Sequence, residues 1–296
     1  MRKWKLLVSG LAATSALVTG VCSPVLAQSA PAAHSVQTRL APEVFGRAVY
    51  LLDATSGKSL LDDNAAERMP IASLTKVMTA YVVLKEAKPG DSIPISGEDV
   101  QYAEDGGAAA ADLHPGDRIP VKELLYGLLL PSGADAAHAL ARFYGPGVGG
   151  FVAKMNATAH QLGLRDTHYV NADGLPTPDG DGYSTARDQA RLAALALRDD
   201  RFRTVVSTQS HSLDETQEHQ AYTWTSTNKM LGEPGVLGVK TGFTSNAGFC
   251  LTFAADRAGH RLVGVILGEE VSARRFDTAA SLLDWGAASA QSRAAA

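Results

Sequence analysis

Short apolar runs closed by turn residues lie near both ends of the chain, and segments with a helical period fill the stretch between them. Residues 48–53 and 59–61 flank Thr55, Ser56, Gly57 and Lys58, which predicts a β-hairpin. From Ser73 the pattern turns helical through Val77, Ala80, Tyr81 and Leu84. Leu124, Leu125, Leu128 and Leu129 form one stripe of a helix over 121–130. Pro131, Ser132 and Gly133 break it before a second helix over 136–143, which leaves Ser132 in a loop between two buried helices. Further helices are expected over 150–162 and 185–197. Residues 86–120 hold Pro89-Gly90, Gly106-Gly107, Pro115-Gly116 and Pro120, and predict an irregular or lightly stranded excursion. Strands over 236–242, 248–255 and 261–267, separated by Ser245-Asn246 and Ala258-Gly259, predict an antiparallel meander. A helix over 272–285 presents Phe276, Ala279, Leu282 and Leu283 on one face to close it.

Strands at both ends with helices between them predict an α+β fold. An antiparallel sheet is flanked by helices, and the helical block makes a mostly helical subdomain. Residues 43–286 are expected to form one unit, since no repeat or internal linker divides them. Before it, residues 28–42 are rich in Ala, Ser, Pro and Gln and read as a flexible lead-in. Residues 287–296, rich in Ala and Ser, read as a loose tail.

The first 27 residues read as an export signal. Arg2, Lys3 and Lys5 precede an apolar stretch from Leu6 to about Val21, and Val25-Leu26-Ala27 closes it with a small-residue cleavage pattern. A membrane anchor fits less well, because Ser9, Thr14, Ser15 and Thr19 dilute the stretch. Removing the leader takes three basic residues and no acidic one, so the formal charge falls from −4 to −7. An acidic surface argues against nucleic acid and anionic membrane as partners. No apolar segment follows residue 286, so no stable membrane anchor is expected and the protein is placed in the periplasm or another extracytoplasmic space. Only Cys250 remains after cleavage, so no internal disulfide forms; within the apolar run 249–253 it reads as core filler. The eight histidines are scattered, and His114, His138 and His160 read as loop or helix-surface residues. No metal and no cofactor is expected.

Three clusters carry chemistry: Ser73-Leu74-Thr75-Lys76, Ser132-Gly133-Ala134 and Lys240-Thr241-Gly242. Each has a plain reading alone. Ser73 caps a helix, Ser132 caps another after Pro131, and Lys240 is a solvated edge lysine before a turn. Together they supply a nucleophile, an amine three residues away to take its proton, a second hydroxyl, and a cationic strand. A serine hydroxyl attacks poorly until its proton is removed, and a lysine removes it only when neutral. Burial, the helix N-terminus at Ser73 and the charge of Lys240 all push Lys76 that way. Gly242 lets a substrate backbone lie close, while Lys240 and Thr241 suit a carboxylate. Such a set fits penicillin-sensitive acyl transfer.

From about Val44 to Gly286 the chain resembles the serine-type D-alanyl-D-alanine carboxypeptidases, the low-molecular-weight penicillin-binding proteins. The likeness rests on Ile71-Ala72-Ser73-Leu74-Thr75-Lys76, residues 124–137, Gly182-Tyr183-Ser184-Thr185-Ala186-Arg187-Asp188, and residues 238–248. It implies a β-lactamase/transpeptidase-like fold. It also implies that Ser73 forms an acyl-enzyme with the penultimate D-alanine of a peptidoglycan stem peptide and releases the terminal D-alanine. Lys76 is then the base, Ser132 relays a proton to the leaving amine, and Lys240 and Thr241 hold the terminal carboxylate. Backbone N–H groups of Ser73 and Phe243 form the oxyanion hole. Arg275 matches a family arginine that assists carboxylate binding. β-Lactams are the covalent inhibitors that this implies.

Two positions depart from the family pattern. Ala134 stands where Asn is usual, and Phe243 where His is common; altered rate or substrate preference follows, with the nucleophile kept. Three rival readings use the same residues. A DD-endopeptidase would cut crosslinks. A class A β-lactamase needs a carboxylate for deacylation, for which the loop after Asn171 offers Asp173, Asp179 and Asp181 but no Glu followed by Asn. A penicillin-binding module of low activity would acylate and turn over no peptide.

Overall fold

The computed structural model describes residues 40–294, so the expected leader (1–27) and residues 28–39 of the lead-in lie outside the described residues. Its frame is a five-stranded antiparallel sheet in the order β2-β1-β9-β8-β7. The first hairpin supplies β1 (Ala48–Asp53) and β2 (Lys58–Asp63), and the meander supplies β7 (Val236–Thr244), β8 (Gly248–Arg257) and β9 (His260–Glu269). Ends distant in sequence therefore meet where β1 pairs with β9, Tyr50 opposite Val265.

The strand period of two explains the two cores. Val263, Val265 and Leu267 of β9 face the helical block, while Leu262 and Ile266 face the other side. Both faces of the central strands are covered, which is why they read as unbroken apolar runs. The far face is closed by α8 (Arg274–Ala294), through Ala279, Leu282 and Leu283. Residues 287–294 were expected as a loose tail, but they continue this helix. Alanine carries the highest helix propensity, and Ala290 is buried.

The helical block comprises α1 (Lys76–Glu86), α2 (Gly97–Asp105), α3 (Val121–Leu129), α4 (Ala134–Tyr144) and α5 (Gly147–Gln161). To it are added α6 (Ala186–Ala196), which lies on β9 and β1, and α7 (Asp200–Val206). The breaker-rich stretch 86–120 is more regular than expected. Short strands β3 (Ser92–Pro94) and β4 (Arg118–Pro120) pair there, and α2 starts from a complete capping box. Ser96 Oγ accepts from the Asp99 N–H at 3.3 Å, and Asp99 Oδ2 accepts from the Ser96 N–H at 2.8 Å. Gly106 and Gly107 end that helix and do not forbid it. The stretch 200–235, for which the pattern gave no element, contains α7 and the hairpin β5 (Ser210–Leu213) and β6 (Tyr222–Thr225).

His138 is a further correction. It is buried on α4, with Nδ1 2.7 Å from Asp99 Oδ1 and its ring stacked on Tyr102 at 4.6 Å. Arg142 closes the same carboxylate, Nη2 to Oδ2 at 2.6 Å. One helical turn separates His138 from Arg142, so a single face of α4 grips α2. Cys250 is core filler as expected: fully buried, with its thiol pushed up to about 11, first by burial.

Candidate active site

Ser73 lies in a single 3₁₀ turn, Ala72–Thr75, that leads into α1. Ala72 just before it has φ of +48°, a left-handed conformation that non-glycine residues rarely hold without support. The support comes from β7 packed alongside. A β-carbon at Gly242 would stand 3.2 Å from the Ser73 nitrogen, so a larger residue would have to push strand and turn apart.

One helical turn on, Lys76 is 1% exposed, and its Nζ donates to Ser73 Oγ at 3.1 Å and to the Asp173 carbonyl oxygen at 3.0 Å. Burial pulls its ammonium down to about 8, with the charges of Asp173 and Asp135 pulling the other way. Lys240 on edge strand β7 is equally buried and donates to the Thr241 carbonyl at 2.9 Å. It is not a solvated edge lysine. Its titration is pushed well down, by burial first and then by the positive charges of Lys76 and Arg275. Two buried lysines close enough to repel are costly to folding. An arrangement of that kind is characteristic of a functional site.

Ser132 sits between α3 and α4 with φ of +72°, and its buried Oγ has no hydrogen-bond partner among the described residues. It caps nothing; Gly133 precedes α4. Two contacts tie this turn to β7. The Thr227 N–H donates to the Leu130 carbonyl at 3.1 Å, and the Thr227 and Thr241 hydroxyls stand 2.6 Å apart. Asp135 anchors the turn from the other side, taking N–H groups of Ala111, Leu113 and Ala136. Ala134, fully buried, donates its N–H to the Ala109 carbonyl.

Phe243 is 55% exposed and stacks on Phe249 with ring centroids 4.4 Å apart. Arg275, buried at the start of α8, donates from Nη1 to the carbonyls of Gly242 and Cys250, 3.0 and 3.1 Å away. That guanidinium therefore braces β7 against β8.

Thr227 and Asp135 escaped the sequence reading of the site, as they belong to none of the three clusters, and Asp173 entered it only as a loop acid weighed for the β-lactamase reading. Of the loop acids, Asp173 is buried beside Lys76, whereas Asp179 is exposed and Asp181 accepts from Asn246 Nδ2 at 2.8 Å. Volume alone points elsewhere. Clefts of about 820 and 860 Å³, lined by Arg191, Arg198 and Arg261 and by Tyr126, His211 and Arg201 respectively, contain neither buried lysine. No group of three or more His, Cys, Asp or Glu is placed to hold a metal among the described residues.

The family model described as D-alanyl-D-alanine carboxypeptidase, peptidase S11, matches residues 35–271. A D-alanyl-D-alanine carboxypeptidase of Streptomyces sp. strain K15 is 34% identical over 288 residues, 93% of this chain and 97% of that one. The enzyme DacB2 of Mycobacterium tuberculosis, of the same name, is 36% identical over 240 residues, 79% of each chain. Among solved structures, the Streptomyces K15 DD-transpeptidase superposes with a TM-score of 0.80 at 35% identity, covering 84% of this chain and all of that one. The expected β-lactamase/transpeptidase-like fold is thereby confirmed. With family match, near full-length relatives and fold in agreement, this chain belongs to the D-alanyl-D-alanine carboxypeptidase family of serine peptidases.

Proposed function

We propose that this protein removes the terminal D-alanine from peptidoglycan stem peptides through an acyl-enzyme on Ser73, and that β-lactams block it by acylating the same oxygen. One observation carries the reading: in a chain of this family, a buried amine held near 8 lies 3.1 Å from that hydroxyl. Near neutral pH a useful fraction of Lys76 is uncharged and able to take the Ser73 proton. Ser73 Oγ then attacks the carbonyl carbon of the penultimate D-alanine. The N–H groups of Ser73 and Phe243 receive the developing oxyanion, an effect worth a few kcal/mol per donor. Ser132, whose hydroxyl has no hydrogen-bond partner among the described residues, passes a proton to the leaving amine. The substrate carboxylate lies against Lys240 and Thr241, where its charge favours the ammonium form of Lys240. Arg275 assists by holding Gly242 in place. Water ends the cycle by cleaving the ester.

The catalytic domain begins near residue 43 and includes α8 to Ala294, and the leader carries it out of the cytoplasm to its substrate. No helix among the described residues is long and apolar enough to cross a membrane. The test is release of free D-alanine from a peptide ending in D-Ala-D-Ala, run beside nitrocefin turnover. Release without nitrocefin turnover is the expected result, and Ser73→Ala abolishes both release and penicillin labelling. Rapid nitrocefin hydrolysis with no D-alanine release would overturn the reading. The K15 relative bears the name transpeptidase, so an amine acceptor belongs in the same assay to show whether the acyl group also passes to it.

A further inference from the structure

The cleft of about 820 Å³ opens between α6 and the two turns that join β1 to β2 and β8 to β9. None of the catalytic residues lines it. Asp256 in its wall lies six residues along β8 from Cys250, which pairs with Gly242, and the strand rise makes that roughly 20 Å from the active site.

The charges here do not balance. Although the chain carries a net charge of −4, the acids that line this cleft or flank its arginines in sequence are taken by other groups. Asp256 holds Arg261 through two contacts of 2.8 Å, Asp199 holds Arg201, and Asp200 holds Arg203. Asp188, one turn before Arg191, spends Oδ2 on the Asp166 N–H and the Thr167 hydroxyl. Arg191 and Arg198, both exposed on the α6 wall, keep no ion pair and no side-chain hydrogen bond among the described residues. Arg198 stands just past the end of α6, where a cation favours the helix dipole. Arg191, in the middle of the helix, has no such reason. The two lie seven residues apart, two helical turns, so their main-chain positions are on the order of 10 Å apart.

The rest of the lining is not simply polar. Leu52, Leu162 and Leu195 are half-buried there. Gly57, Gly163 and Gly259 add open main chain, since a β-carbon at any of them would meet no atom within 4 Å.

We propose that this cleft binds an acidic peptide with two carboxylates on the order of 10 Å apart. Guanidinium forks match carboxylates, the leucines accept aliphatic side chains, and the open main chain can hydrogen-bond to a peptide backbone. A phosphate chain would meet the same two charges but has no use for the leucines. The site is separate from Ser73, and only the source of the peptide, an acidic stem peptide of the wall, rests on the proposed function.

The experiment is titration calorimetry of the whole protein at low salt with acetyl-Glu-Leu-Ala-Glu-amide, which has no D-alanine end for the active site. Saturable binding is expected, and it weakens about tenfold or more for the Gln-Leu-Ala-Gln analogue and for the double variant Arg191→Gln, Arg198→Gln. The control Lys88→Gln, Lys122→Gln removes two charges from the other cleft and keeps binding within about twofold. Benzylpenicillin acylates Ser73 at the wild-type rate in both variants, which shows that they are folded. A wild type that is never acylated would sink the proposed function and leave this site standing. Absence of saturable binding, equal binding of the Gln analogue, undiminished binding in the arginine variant, or tighter binding of tripolyphosphate than of the peptide overturns the proposal.

Discussion

The hydroxyl oxygens of Thr227 and Thr241 stand 2.6 Å apart, and the main-chain N–H of Thr227 reaches the carbonyl of Leu130. One residue outside every motif thus couples the strand carrying Lys240 to the turn carrying Ser132. Replacing Thr227 by Val keeps the shape and removes the hydroxyl. Acylation by benzylpenicillin should slow about tenfold, the rate equivalent of a lost hydrogen bond of about 1.4 kcal/mol. The melting temperature should hardly move, because the residue is exposed.

Lys76 separates activity from stability. With its ammonium at about 8, acylation should rise with pH, losing about tenfold for each unit below that midpoint. The unfolded chain holds the proton up to the ordinary value of 10.5, so between 8 and 10.5 it binds more protons than the folded one. Stability from this group therefore increases as pH rises through that window. Lys76→Met removes the buried charge at similar volume. It should unfold at a higher temperature at pH 7, while acylation falls by about 10²–10⁴. Thermal melting and acylation rates of the same preparation check both halves.

Arg275 is expected to act through the backbone of β7. Arg275→Ala leaves the carbonyls of Gly242 and Cys250 without their donor, at about 1–3 kcal/mol in stability. Denaturant midpoints measure that loss. A variant as stable as the wild type would show that the brace contributes nothing.

The Asp99 cluster should govern acid stability. Burial pushes its carboxyl up, but the contacts of His138, Arg142 and Ser96 outweigh it and hold the group far below the usual range. A carboxyl depressed on folding gives stability that is present above the unfolded value and lost as pH falls. Unfolding by acid should therefore begin below about pH 4. Asp99→Asn strands two partners in one step and should cost about 3–5 kcal/mol at neutral pH, read from urea unfolding.

Much of this was legible in the chain. Leucines at helical spacing gave α3, and the apolar runs before Ser245-Asn246 and Ala258-Gly259 gave β7 and β8, since burial on regular elements leaves a periodic trace. The capping box of Ser96 and Asp99 was equally local, yet the glycines and prolines around it masked α2. His138 was misplaced because a buried histidine and an exposed one look alike until the partner is known. Asp99 lies 39 residues away.

The sequence by itself determined the main strands, the long apolar helices and which reactive groups exist, because propensity, period and side-chain chemistry act over a few neighbours. Tertiary structure alone decided that Lys76 and Lys240 share one buried site, that Ser132 Oγ has no hydrogen-bond partner among the described residues, and that Thr227 and the Asp173 carbonyl bond to parts of that site. Burial and charge interaction depend on what lies across the fold, and no short stretch of chain records its distant neighbours.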